Sequence, residues 1–388
     1  MALSSSIPTA LELGAVAASP SALKVQSYCG GLEAIDRVAN EWRELCSDAA
    51  NDQPFYRPEW IRAYMRTFVP GARVHIIAAR KDDRLSLVLP LIREDGTFCK
   101  VPVRKLRAPV NCHPGRYDAV RRTGTDGNSA IRATWEYLRN LEGWDLLQFR
   151  DTPEGSTVST LAAEAAADGF RTIQLAERPN PYVPIPVDPK QLHHLPPNSK
   201  LRSQLRQIRR RMASQGPLHF YRIETADRDG LERFYQLEAS GWKGRAGSAI
   251  LRSGTRQYYD EIAEWTARCG YFRLYMLEWN GELLASHFSL THRNRCYSPM
   301  VAYNENFKQF APGHLIVQEI LQDCHARGVT GYDITGQDQA WKMKWTSETR
   351  AVNHFYIFKG ARGGMAHALA TKLVPFVGRF IHKEKMSE

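Results

Sequence analysis

The chain has 388 residues, 43% hydrophobic and 24% charged, a balance that excludes a wholly disordered protein and allows two packed cores. Its 52 Lys and Arg against 41 Asp and Glu give a net charge of +11 and a pI near 9.3, which gives an anionic substrate or partner weight beside plain solubility. Seven cysteines, at 29, 46, 99, 112, 269, 296 and 324, are scattered without a C-x-x-C pair, so neither a disulfide framework nor a zinc site is expected, and no metal is assigned.

Residues 1–24 read as a flexible tail: the stretch lacks a basic n-region, carries Glu12 and is broken by Pro8, Gly14 and Pro20, so it is not a secretory signal. Leu32, Ile35, Val38, Trp42 and Leu45 then recur at helical spacing, and a second helix follows Pro58. Arg73 to Arg80 and Leu85 to Ile92 make a predicted hairpin, Ser129 to Leu141 a helix and Trp144 to Phe149 a strand, completing a first lobe over 25–177. The Pro-rich stretch 178–197, with seven prolines, is the expected stiff linker.

The second lobe, 198–360, opens on a helix with Leu201, Leu205, Ile208 and Met212 on one face and Arg202, Arg206, Arg209 and Arg210 around the rest. That basic face is either a solvated surface or a guide for an acidic substrate. The earlier order then returns: a hairpin split by Asn280-Gly281, a third strand to Tyr303, a helix from Gly313 to Arg327 and a strand ending near Asp333. A final basic amphipathic tail, 361–388, suits packing on its own domain or contact with an acidic membrane surface. No uninterrupted apolar run reaches about eighteen residues, so no transmembrane span is expected. The scattered cysteines fit a reducing compartment, and the expected location is cytoplasmic, free or peripheral to the inner face of the membrane.

No P-loop, G-x-G-x-x-G, G-x-S-x-G or H-E-x-x-H signature occurs, which disfavours the best-marked nucleotide, dinucleotide and hydrolase classes. A helix beginning after a Gly-containing loop offers backbone N–H groups and a positive dipole end to a phosphate, which points to Ala311-Pro312-Gly313-His314-Leu315. Asp333, ending a predicted buried strand, is a base, a substrate-orienting carboxylate or a cap for the next turn. His287 suits either a core histidine or a site base, and Tyr303 either packs or faces the reacting group.

The strand-loop-Pro312-Gly313-His314-Leu315-helix-strand order, followed by Asp333, Gly336 and Trp341-Lys342-x-x-Trp345, resembles the GNAT superfamily of acyltransferases. Within it the chain is most similar to the CelD/BcsL-like acetyltransferases of cellulose and exopolysaccharide synthesis, related to the FemAB-like transferases; Pro54-Phe55, Pro58-Glu59-Trp60 and Leu89-Pro90-Leu91 carry the likeness in the first lobe. The resemblance implies an α/β fold of tandem GNAT-like lobes, each a mixed, mostly antiparallel sheet flanked by helices. It implies acetyl-CoA as co-substrate, held by Phe310, Ala311, Pro312, Gly313, His314 and Leu315. Asp333, Lys342 and Tyr303 would then be catalytic, while Trp242, Lys243, His287 and Trp341 would line the acceptor cleft. The acceptor would be a saccharide or another small amine or hydroxyl compound, with nucleic acid disfavoured. An aminoacyl-tRNA-dependent FemAB-like transferase and a non-catalytic scaffold of an envelope-polymer assembly are the alternatives.

Overall fold

The computed structural model describes residues 23–111, 113, 115–251 and 254–372. The expected N-terminal tail through residue 22, and the part of the C-terminal tail from 373 onward, lie outside the described residues.

In the first lobe β1 (Lys24–Gly30), β2 (Arg73–Lys81), β3 (Arg84–Phe98) and β4 (Val101–Arg107) form an antiparallel run, with the two-residue β5 (Val120–Arg121) beside β3 and β6 (Leu146–Pro153) parallel to β4. The second lobe supplies β8 (Leu218–Ile223), β9 (Phe272–Trp279), β10 (Glu282–His292), β11 (Arg295–Tyr303) and β12 (Gly331–Asp333). The β9–β10 hairpin turns at Asn280-Gly281, where both φ angles are positive, as the right-handed strand twist demands of a two-residue turn.

Two further strands fuse these halves into one sheet. β7 (Arg171–Pro184) pairs through its first part with β13 (Thr349–Phe358) and through Tyr182 to Pro184 with β12. The expected linker is thus extended, but its first seven residues belong to a central strand. Proline lacks the N–H a ladder needs, and β7 accommodates Pro179 and Pro181 where the β13 pairing slips register, next to the change of partner. β13, from the far end of the sequence, sits between β6 and β7 and completes the first lobe's half of the sheet.

One core also crosses between the lobes: Phe55, Trp60 and Tyr64 of the first pack in the same cluster as Tyr258, Tyr259 and Phe288 of the second. Buried Asp52 reinforces the junction, bonded to Arg57 at 2.6 Å and to His292 of the second lobe at 2.8 Å. Against burial, which raises it, those two hydrogen bonds hold the Asp52 carboxyl below its ordinary value. The opposite face of the second-lobe sheet is covered by two helices. Ser199–Ala213, capped by Asn198, buries Leu201, Leu205, Ile208 and Met212, and Pro312–Ala326 buries Leu315, Ile316 and Ile320.

With a shared core and an exchanged strand, the full chain is expected to unfold in one cooperative step, tryptophan fluorescence and far-ultraviolet circular dichroism giving coincident denaturant curves. Two separated transitions would contradict this.

Candidate active site

The site is built where β11 and β12 part. They pair in parallel over only three residues, Arg295 to Tyr297 against Gly331 to Asp333, while β11 runs on to Tyr303 without a strand on that side. Just past the pairing, the Thr335 hydroxyl donates to the Ser298 carbonyl at 2.9 Å, and Thr335 and Gly336 both take positive φ as the chain turns away. A wedge opens between the strands, with the start of the helix Pro312–Ala326 following β11.

That helix begins at Ala311, whose left-handed conformation (φ 49°, ψ 49°) directs its carbonyl into the first turn. The expected donors are therefore partly committed: the N–H groups of His314 and Leu315 both donate to the Ala311 oxygen, at 2.9 and 3.1 Å. Pro312 has none to give, so Gly313 carries the amide left for a ligand in this turn. Leu315 is core, and the Trp345 indole N–H donates to His314 Nδ1 at 3.0 Å. Burial, and next the charge of Lys344, hold His314 down at about 4, so its ring is neutral and braces the loop. The Phe310 ring packs on Trp279 and lies under the Arg211 guanidinium, 4.6 Å from the ring centroid. Exposed Tyr303 borders Gly313 from the end of β11.

Asp333 is buried and ion-paired with Arg116 of the first lobe at 2.9 Å, and its second oxygen accepts from the Thr335 N–H at 2.9 Å. Arg116 lies over the rings of Phe55 and Tyr297 and also bonds Gln53. Against burial, which lowers it, Asp333 and the neighbouring tyrosines hold the guanidinium above its ordinary value. Both Asp333 oxygens are thus engaged by the protein, one by Arg116 and one by the Thr335 N–H. This geometry suits shaping the turn that follows.

That turn carries Lys342. The residue is 7% exposed, and its ammonium donates to the Thr335 carbonyl at 2.6 Å, close against Gly336, where a Cβ would stand 3.3 Å from Nζ. Burial, partly offset by Asp333 and reinforced by Lys243, brings Lys342 down to about 8. Because its folded value lies below its unfolded one, the unfolded chain binds the extra proton between about pH 8 and 10.4, and stability rises with pH across that window. Lys342→Met removes this cost. Its stability relative to the native chain is expected to be better at pH 7 than at pH 10.4 by ~1–3 kcal/mol. Urea melts at the two pH values check this, and an equal offset at both would contradict it.

His287 is buried on β10, with Nδ1 3.1 Å from the Tyr332 hydroxyl; burial, then Lys243 and Lys342, press it down to about 3. Lys243 is paired with buried Glu238 at 3.2 Å. The structure thus gathers Lys243, His287, Lys342 and Asp333 into one electrostatic neighbourhood. Trp242 is 56% exposed, not core, with its backbone N–H donating to Glu305. The Trp341 indole donates to Gln339, and its ring lies 5.7 Å from Lys342 Nζ.

Sequence reasoning singled out no first-lobe residue for the site. The loop between β4 and β5 sends Arg116 to Asp333 and His113 to the Tyr259 hydroxyl, at 2.9 Å. Burial, and next the charge of Lys243, hold His113 at about 4. Elsewhere, Asp151, Glu177 and His354 bring ligand-type atoms within 4.8 Å of one another. There His354 accepts from the Asp151 N–H with one nitrogen and meets Glu177 with the other, so its ring has no nitrogen open to an ion.

Residues 199–343 match the family model described as Acetyltransferase (GNAT) domain. The fold is similar to that of FemX, at 14% identity and a TM-score of 0.57, covering 83% of this chain and 96% of FemX. It is also similar to a conserved protein of unknown function from Bacteroides thetaiotaomicron, at 10% identity and a TM-score of 0.54, covering 85% and 98% of the two chains. The C-terminal domain of a putative lysylphosphatidylglycerol synthetase from Agrobacterium fabrum aligns at 13% identity and a TM-score of 0.52, covering 87% and 97%. No curated protein matches the chain. Among the described residues, no helix is long and apolar enough to cross a membrane. The chain therefore has a mixed α/β fold with a large mixed sheet flanked by helices, and its second lobe is similar over residues 199–343 to a GNAT-type acetyltransferase domain.

Proposed function

We propose that the protein transfers an acyl group, most simply acetyl, from CoA to an amine or hydroxyl acceptor. The observation that carries this reading is the wedge between β11 and β12 beside the unpaired Gly313 amide. The thioester lies in the wedge, its carbonyl oxygen polarised by amides of β11 that lack a strand neighbour. The pyrophosphate meets the Gly313 N–H and the helix dipole, with exposed Arg211 over Phe310 supplying positive charge. The acceptor lies toward Lys243, His287 and Trp242, and its nucleophile attacks the carbonyl carbon. The carbon–sulfur bond breaks, and CoA leaves as a thiolate that takes up a proton.

Lys342 is the group suited to accept the nucleophile's proton, since a base titrating near the working pH balances availability against strength. Asp333, held by Arg116, positions the Lys342 turn. By resemblance, the acceptor is a saccharide or its precursor in cell-envelope or exopolysaccharide synthesis, made at the cytoplasmic side of the membrane. Incubation with acetyl-CoA and a panel of amino sugars, amino acids and polyamines, with release of free thiol as the readout, tests the reaction. Acceptor-dependent release whose rate rises with a midpoint near pH 8 is expected, and release independent of every acceptor, or none at all, would count against it.

An aminoacyl-tRNA donor is the second reading, favoured by one observation: a single open amide is a sparse cradle for a pyrophosphate. Salt-sensitive tRNA binding without acetyl-CoA binding would select it.

A further inference from the structure

A cleft of about 320 Å³ opens beside the helix Pro312–Ala326, between it, the basic helix Ser199–Ala213 and the segment preceding the basic helix. None of the donor-loop residues 310–315 lines it. Its size is near the lower end for small-molecule sites, and its lining has their usual make-up, an apolar floor with a few polar groups. Half-buried Leu192 and Leu195 provide its apolar surface, backed by buried Leu321 and Trp345.

One wall is fixed. Arg202 donates through one guanidinium nitrogen to the carbonyls of His194, Pro196 and Pro197, at 2.9, 2.6 and 2.8 Å, which ties that segment to the basic helix. One turn on, Arg206 lines the same cleft and has no ion-pair partner among the described residues, whereas Arg209 is paired with Glu319. Gln322 lines the cleft from the opposite helix. A positive charge without an internal partner, beside an amide and above an apolar floor, is complementary to a small amphipathic anion.

We infer that this cleft is a second ligand site, for a molecule with a phosphate or carboxylate head and a short apolar body. The head meets Arg206 and Gln322, and the body lies on half-buried Leu192 and Leu195, with buried Leu321 and Trp345 beneath them. Trp345, under the cleft, donates to His314, so the site lies next to the residue that braces the donor loop. The site is independent of the acyl-transfer reading, since its lining supplies none of the donor-loop amides.

Isothermal titration of the full chain with octanoate, octyl phosphate and octanol tests it. One anion per chain is expected to bind with a dissociation constant below about 1 mM, with octanol at least about tenfold weaker. Tighter binding of octyl phosphate assigns a phosphate head, and equal affinities assign any monoanion. Arg206→Glu is expected to weaken the anions at least about tenfold while leaving acetyl-CoA binding unchanged. Leu321→Trp fills the floor and should abolish binding; should that core variant not fold, exposed Arg206→Glu decides alone. Binding unaffected by Arg206→Glu, octanol binding as well as the anions, or no binding at all would overturn the proposal. Loss of acetyl-CoA binding by the native chain would overturn the acyl-transfer reading and leave this one standing.

Discussion

Arg116→Met is expected to destabilise the protein by about 3–5 kcal/mol, the loss typical of stranding one member of a buried ion pair. Arg116 and Asp333 come from different lobes, lie 2.9 Å apart and are 7% and 3% exposed, so neither charge has water to fall back on. Removing the guanidinium leaves the Asp333 carboxylate with the Thr335 N–H as its remaining hydrogen bond apart from any the relaxed site recruits. Because Thr335 presents its carbonyl to Lys342, the variant should also disturb the lysine turn. Pairing Arg116→Met with Asp333→Leu removes both charges and is expected to recover a large part of the loss. Urea unfolding of the two variants provides the measurement. A single-variant loss below about 1 kcal/mol would mean that the pair is already solvated or replaceable.

Gly313→Trp is expected to weaken acetyl-CoA binding by at least about 100-fold, whereas Gly313→Ala changes it little. The contrast follows from the surroundings. A Cβ on Gly313 would meet only Tyr303, at an ordinary 3.9 Å, so the helix start tolerates a methyl group. An indole there is large enough to stand over the amide proposed to receive the pyrophosphate. Circular dichroism should show both variants folded, and calorimetric titration reads the difference. If Gly313→Trp folds and binds acetyl-CoA normally, the donor does not use this turn.

Much of this architecture could be read from the chain because its signals are local. Asn280-Gly281 between two β-rich runs specified a hairpin, and Pro312 at a first helical position followed by apolar residues every three or four specified the helix that carries the donor loop. The lysines and histidine, more than forty residues apart in sequence, meet only because the second-lobe fold brings the short helix Trp242–Arg245, β10 and the turn after β12 together. β13 gave no such signal. Phe355 and Ile357 pack into one core while Tyr356 and Phe358 pack into another, so the strand is apolar on both faces and shows no alternation. The prolines of β7 read as a connection because their tolerance depends on a register slip against a strand some 170 residues away. Arg116 and His113 were hidden for the same reason: what they do is set by partners in the other lobe.

The conformation of Ala311 is a subtler case. The Pro-Gly sequence correctly marks where the helix begins, yet the left-handed residue before it decides which amides remain free, and nothing in an alanine side chain announces a positive φ. The helix start was therefore legible, and the number of donors was not.

Determining the structure of the protein with acetyl-CoA tests the central claim most directly. The thioester is expected between β11 and β12 beyond Tyr297, with a pyrophosphate oxygen accepting from the Gly313 N–H and Arg211 facing the phosphates. Acetyl-CoA bound with its pyrophosphate elsewhere, or absent from crystals grown at saturating concentration, would contradict it.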